Sequence, residues 1–429
     1  MEKLLKLASQ HADQAEVWYL EETEDNLGFT DAKLDTANTS LSSGIALRVI
    51  KDGQVGLAHT RNLLDHKSLL DQALLSAGNG MPVDFQFPHT SSLPPLDNFS
   101  PAIEQIGKDA LVEEGNRVLG YIKKRCQGQV DLRFNYAIER SGIMNSAGTA
   151  LGQKSSAFMM MVHLVFPGTG SGLLGMKLGT GQCRLSESDL DRLIELFRIS
   201  EIQIVPETGN LPVIFTEFSL HTLLSRFFVA ASPENFYNKV SPLLHKLGER
   251  IFSEKLSIWQ DPLDPELGNS CAFDGEGTPT RKLSFVQNGV FKAIPTDLNY
   301  ASKLGLEPTG NGLRRAVEAQ PSAQPVNVCI APGEHSLEQM IAGIDRGIIV
   351  QGLMGGHSGN ILNGDYSVGV STGFYIENGV LKGRVKDCLL SGKIYDTLNR
   401  IAALESTCHN LGYYNVPAIL FDPVKVTGK

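Results

Sequence analysis

Leu283-Ser284-Phe285-Val286-Gln287-Asn288-Gly289-Val290-Phe291-Lys292 and Gly373-Phe374-Tyr375-Ile376-Glu377-Asn378-Gly379-Val380-Leu381-Lys382 read alike. Each is an apolar run, an Asn-Gly pair and a short return run. Asn-Gly supplies the two positive φ angles of a tight hairpin turn, so each stretch predicts strand, turn, strand. Two such hairpins predict a largely antiparallel sheet in the second half of the chain. Between them, Ser336 to Arg346 reads as a short helix. Upstream, the apolar strand Leu211 to Phe215 feeds directly into a helix from about Thr216 to Ala231, after a boundary at Val205-Pro206-Glu207-Thr208-Gly209-Asn210.

The first half carries mixed signals. Met1 to Asp13 has helical spacing, and Ala15 to Thr23 holds the strand-like run Val17-Trp18-Tyr19-Leu20. Gly44 to Ala58 predicts a hairpin that turns at Lys51-Asp52-Gly53, and Leu63 to Ala77 carries a helix stripe. Five prolines between Gly78 and Pro101 mark a connector. Ala102 to Cys126 resumes as helix. Strands follow at Asp131 to Arg140 and Thr149 to Val165, then a glycine-rich stretch from Pro167 to Gly181, then a helix from Ser186 to Ser200 with Ser186 as its cap. The fold class expected is α+β, an N-terminal α/β region followed by a C-terminal domain rich in antiparallel β-sheet. The expected divisions are an N-terminal α/β unit over 1–80, a Pro-rich connector over 81–101, a middle α/β region over 102–205 and the β-rich domain over 206–429.

Composition narrows the function. The chain has 429 residues, 42% hydrophobic and 20% charged, with a net charge of −9. That is enough apolar material for a sizeable core, and the acidic balance gives no general attraction to nucleic acid. Lys123-Lys124-Arg125 and Arg314-Arg315 are too short to track phosphates. No window approaches a membrane span. Glu2 and Lys6 interrupt the first apolar residues, so no signal peptide is expected. Six cysteines are scattered without a C-x-x-C pair, which fits a reducing compartment. A soluble cytoplasmic protein is expected, with no nucleic-acid and no membrane partner. The loops Gly168-Thr169-Gly170-Ser171-Gly172 and Gly310-Asn311-Gly312 lack the Lys-Ser/Thr of a phosphate-binding loop and serve better as turns.

The chemistry centres on Thr216-Glu217-Phe218-Ser219-Leu220-His221. Glu217 and His221 stand at i and i+4, on one helix face. A zinc hydrolase needs two or three ligands around an open position and a carboxylate to take the proton of the bound water. A carboxylate beside a histidine could supply a base and one ligand, although the same spacing is common on surface helices.

This region, and most of the chain, resembles the TldD/TldE (PmbA) peptidase family. The catalytic TldD-type subunit carries His-Glu-x-x-x-His after an apolar strand. Here Val213-Ile214-Phe215 precedes the same register, with Thr216 in place of the first histidine. Further matching stretches follow in the family's order: Phe273-Asp274-Gly275-Glu276-Gly277-Thr278-Pro279-Thr280, Gln287 to Lys292, Pro308 to Gly312, Ala331-Pro332-Gly333, Gly364-Asp365-Tyr366-Ser367 and Ile376 to Gly379. The hairpin over Gly44 to Ala58 also looks familial. The segment from Asn235-Phe236-Tyr237-Asn238-Lys239 to Ile258-Trp259-Gln260-Asp261-Pro262 looks like the TldE-type subunit, which shares its partner's fold but lacks the metal motif.

The resemblance implies a subunit of a metallopeptidase that cleaves unfolded peptides or peptide precursors. No zinc is expected on this chain; a TldD-like catalytic partner would supply it, with a homodimer as the other possible assembly. This chain would help enclose the cavity and bind peptide, by strand addition to a sheet edge. Glu217 would be the residual catalytic carboxylate. His221 and Cys408 are the candidate metal ligands, Cys408 because the catalytic subunit uses a cysteine near its C-terminus. His357, with Gly355 and Gly356, is a candidate peptide contact, whereas His335 and His163 read as structural or solvent-facing. Two alternatives stay open: a self-sufficient metallopeptidase using Glu217 and His221, and a non-enzymatic peptide-binding modulator.

Overall fold

The computed structural model describes residues 1–429. Helix α1 (Glu2–Ala8) leads into β1 (Gln14–Thr30), β2 (Lys33–Lys51) and β3 (Gln54–Thr60), followed by α2 (His66–Ala77). After the connector and a short 3₁₀ turn at Pro101–Gln105 come α3 (Lys108–Lys123), β4 (Gln129–Asn145), β5 (Ala150–Val165), β6 (Gly172–Gly179) and α4 (Glu187–Ile199). The six strands form one antiparallel sheet in the order β3-β2-β1-β4-β5-β6. Residues 1–80 and 102–205 therefore contribute to a single sheet.

Two differences from the sequence reading lie here. β1 runs on to Thr30 rather than ending near Thr23, because its polar second half is held by continuous pairing to β2 and β4. The glycine-rich stretch after Pro167 contains β6, whose residues pair one for one with Phe158 to Val165 of β5. Its glycines hide the alternation that would otherwise announce a strand. α4 starts where expected: the Ser186 hydroxyl accepts from the Asp189 N–H while the Asp189 carboxylate accepts from the Ser186 N–H.

The sheet buries both faces. Ala15 and Val17 pack with α1 and α2, while Leu27, Phe29, Leu132 and Phe134 join α3 and α4 in a second core. On the opposite face Trp18 meets Ala272, Phe273 and Val317 of the C-terminal half.

In that half, β7 (Gln203–Ile204) and β8 (Gly209–Phe215) precede α5 (Glu217–Ala230). β8 pairs parallel with strand Arg346–Met354 and antiparallel with Ile419–Thr427. The latter pairs with Leu389–Lys393, which pairs with Asp365–Glu377, which returns to Arg346–Met354. The pairing closes on itself, with β7 reached through strand Val380–Val385 and with strand Ile401–Leu404 branching off the ring. The expected helix over Ser336 to Arg346 is shorter, Leu337–Ala342, and Arg346 already opens the next strand. Both Asn-Gly hairpins form, with φ of 47° and 78° at Asn288 and Gly289 and 51° and 72° at Asn378 and Gly379. They do not share a sheet. The first belongs to a separate six-stranded sheet with Ile258–Gln260 and Val328–Ile330, and the second to the closed one. Local turn chemistry fixes a hairpin but not the sheet it joins.

A buried ion network fastens the halves. Glu16 of β1 lies directly across from Arg48 of β2. The Arg48 guanidinium donates to Glu16 at 2.8 Å and to Glu276 of the C-terminal half at 2.7 Å, and it sits 4.9 Å from the centre of the Phe87 ring. Arg314 also donates to Glu16, and its Nε donates to the Gly275 carbonyl. Glu276 further accepts the Leu298 N–H, and Asp274 accepts the N–H groups of Glu276, Thr278 and Gly312. A Cβ at Gly312 would fall 2.3 Å from Glu276 Oε2, so that position has room only for glycine. Removing one member of a buried charge network strands its partners. Arg48→Met is expected to cost about 3–5 kcal/mol, and Arg48→Lys to rescue it poorly, because one ammonium cannot serve two carboxylates as a guanidinium fork does. Urea unfolding of the three proteins checks both.

Candidate functional site

The strand-to-helix junction forms where expected, and Thr216 stands at the N-cap of α5. Its side chain does not cap the helix. The Thr216 N–H and hydroxyl both donate to the Val350 carbonyl at 3.0 Å, and the Ser219 hydroxyl donates to the same oxygen at 2.9 Å. Val350 is the residue in register with Phe215 across the parallel pair. Position 216 is 2% exposed and committed to holding the helix start against the neighbouring strand.

Glu217 and His221 diverge in environment. Glu217 is part-buried at the helix start, and burial pushes its carboxyl above the ordinary range, with the His409 charge pulling the other way. His221 is exposed, with Nδ1 2.9 Å from the Phe218 carbonyl and Nε2 3.4 Å from the Thr222 hydroxyl. Cys408 is part-buried and its thiol donates to the Ile330 carbonyl at 3.5 Å. Burial, then the nearby Glu405 carboxylate, push that thiol up and away from the thiolate a metal requires. No three His, Cys, Asp or Glu side chains converge in a group that could hold a metal ion. The donor set of this chain therefore does not fit zinc: one position is a hydroxyl bound to backbone, one is an exposed imidazole and one is a protonated thiol.

What the structure brings to Glu217 is a pair that the motif reading missed. His409 Nε2 lies 3.1 Å from Glu405 Oε2, which also accepts the Ala418 N–H. Glu405 is buried, at the end of strand Ile401–Leu404. The Glu405 hydrogen bond, with Glu217 and Glu405 charges adding, raises the His409 pKa against the opposing effect of burial and of Arg192. The available signal was weak: Glu405 and His409 are four apart, but around a turn rather than on a helix.

The loop holding Gly355, Gly356 and His357 is clamped from beneath. Arg226 of α5 is wholly buried without a carboxylate. Its guanidinium donates to the carbonyls of Gly356 and Ser358 at 2.9 Å, of Asp365 at 2.9 Å and of Thr222 at 2.7 Å. His357 and Gly356 are exposed on the loop's outer side. A Cβ at Gly356 would meet Thr222 at 3.9 Å, so this loop and the exposed His221 are neighbours on one surface.

The profile of the PmbA/TldA metallopeptidase C-terminal domain matches residues 208–428, and that of domain 1 of the same group matches residues 15–77. The chain is similar to an uncharacterized protein of Methanocaldococcus jannaschii, 26% identical over 98% of both chains. It is 28% identical to a protein named metalloprotease from Methanothermobacter thermautotrophicus, over 88% of this chain and 84% of that one. A zinc metalloprotease TldD homolog of Saccharolobus solfataricus is 30% identical over 37% of this chain and 36% of its own. Among solved structures, TldE from Thermococcus kodakarensis superposes with a TM-score of 0.92 at 25% identity, covering all of both chains. No helix is long and apolar enough to cross a membrane.

Two outcomes are expected. Thr216→His puts a larger ring into a closed position and removes a backbone tie; it should cost about 1–3 kcal/mol and leave the chain without stoichiometric zinc, as thermal unfolding and elemental analysis would register. For His409, the folded pKa lies above the ordinary 6.5, so its stabilisation is complete below that value and fades as pH rises through the folded one. His409→Asn should therefore lose stability in mildly acidic buffer and approach the parent protein in alkaline buffer, measured as the gap between denaturation midpoints across pH.

Proposed function

Because the chain belongs to the PmbA/TldD metallopeptidase family, we propose that it is the TldE-type subunit of a cytoplasmic metallopeptidase, binding unfolded peptide while a TldD-like partner supplies the zinc chemistry. The observation that carries this reading is position 216. In the family register it would be the first ligand of the metal motif, and here it is a threonine whose hydroxyl and N–H are spent on the Val350 carbonyl. A neutral hydroxyl is a poor zinc ligand, and losing one of few ligands weakens a site greatly. The full-length likeness to a TldE structure supports the same assignment.

The chain's own contribution is then binding and enclosure. Arg226 ties the loop Gly355 to Ser358 to helix α5 through two of its carbonyls, Gly356 and Ser358, so Gly355, Gly356 and His357 are offered to a peptide on a held surface. Glu217, beside His409, is a residual carboxylate with no proton to take from a metal-bound water on this chain.

The test is reconstitution. The purified chain alone should hold no stoichiometric zinc and leave an unstructured peptide uncut. Mixed with a TldD-type subunit carrying His-Glu-x-x-x-His, it should form a complex that cleaves the peptide and retains activity when Glu217 of this chain is changed to Ala. Stoichiometric zinc and cleavage by the chain alone, both abolished by Glu217→Ala, would overturn the reading.

A further inference from the structure

The sheet face that meets the C-terminal half carries a second charged feature besides the clasp. Glu22 of β1 lies in direct register with Glu139 of β4. Like charges directly opposite each other on neighbouring strands are destabilising. Neither carboxylate has a cation. The neighbouring cations Arg140 and Lys154 are taken by Glu21 and Glu104. Burial first, then the neighbouring carboxylates, hold both groups above the ordinary range; only the Ser141 hydroxyl eases Glu139. A pair so placed costs stability and stabilises nothing within the chain.

Above this pair the sheet and the C-terminal half leave a cleft of about 830 Å³. Glu22 and Glu139 line it, together with the aromatic side chains of Trp18, Phe228, Tyr413 and Tyr414. Arg314 lines it too. Its Nε and Nη2 are used by Gly275 and Glu16, but Nη1 is buried with no acceptor.

We propose that this cleft binds an organic cation, the ammonium or guanidinium of a Lys or Arg side chain on an extended peptide. Glu22 and Glu139 are its paired counter-charges. The aromatic walls flank its alkyl stem and charge. The incoming charge turns a cross-strand repulsion into two attractions, so what destabilises the free protein strengthens the complex. This rests on the peptide-binding reading above and names the residue type that the peptide must carry.

The test uses the full chain without a catalytic partner. Calorimetry compares an end-blocked, unstructured peptide with a single lysine, the same peptide with norleucine in its place, and 1,4-diaminobutane. The lysine peptide should bind about tenfold or more tightly than the norleucine one, and the double variant Glu22→Gln, Glu139→Gln should lose that preference. The unliganded double variant should melt at or above the parent temperature, since the repulsion is gone; a purely structural pair would show the opposite. Equal binding of the two peptides, or an undiminished lysine preference in the double variant, overturns the proposal. Diamine binding as tight as that of the lysine peptide overturns its assignment to a peptide. Partner-dependent cleavage that fails while the lysine preference holds counts against the subunit reading alone.

Discussion

The structure turns on one guanidinium. Arg48 is 5% exposed and joins carboxylates from the two halves of the chain, Glu16 on its neighbouring strand and Glu276 in the C-terminal half. Without Arg48, the inner sheet face would carry two buried carboxylates with only Arg314 to answer them. A buried ion pair is often no better than an apolar contact of equal size, but a broken one is far worse. The network therefore does less to raise stability than to forbid other placements. Its geometry is satisfied only when the sheet and the C-terminal half meet in one orientation. The backbone around it is built to that end. Asp274 gathers three N–H groups of the Asp274 to Gly312 region, and Gly312 keeps clear of Glu276.

The same logic explains position 216. A metal ligand and a structural tie make incompatible demands on one side chain. A ligand must leave its lone pair free and point into an open site. Thr216 instead donates to a strand carbonyl that already takes the Ser219 hydroxyl, which pins α5 to strand Arg346–Met354. The helix keeps its place relative to the sheet, and with it Arg226 keeps the Gly355 to Ser358 loop. The start of α5 does structural work that needs no metal.

Much of the fold was legible in the sequence where the deciding interaction was local. The Asn-Gly turns, the Ser186 capping box and the strand running into α5 are all set by residues within a few positions of one another. What escaped was set at a distance. The parallel pairing of β8 with Arg346–Met354, which allows the C-terminal sheet to close, leaves no local trace. Nor could the clasp be read: Glu16 and Arg314 lie 298 residues apart. The stretch Phe273 to Thr280 stood out as a familial motif, yet nothing in its residue types distinguishes a catalytic Asp-x-Glu from one that ties two halves together. At the candidate site, Thr216, Glu217 and His221 were visible by register, while the pairing of His409 with Glu405 depends on a chain reversal that spacing does not reveal.

The sheet face toward the C-terminal half shows two treatments of acidic residues on one strand. Glu16 and Glu22 stand three pleats apart on β1, pointing the same way. Glu16 meets an arginine on the next strand and another from the far half, and is closed off. Glu22 meets a second glutamate and opens on a cleft. An interface between packed layers is ordinarily apolar, and a charge within it needs a reason. For Glu16 the reason lies inside the chain, because its counter-charges are there. For Glu22 and Glu139 no residue of the chain supplies one. Along a single strand, then, the boundary between what the fold requires and what it holds ready for another molecule falls between Glu16, which its two arginines close off, and Glu22, which opens on the cleft.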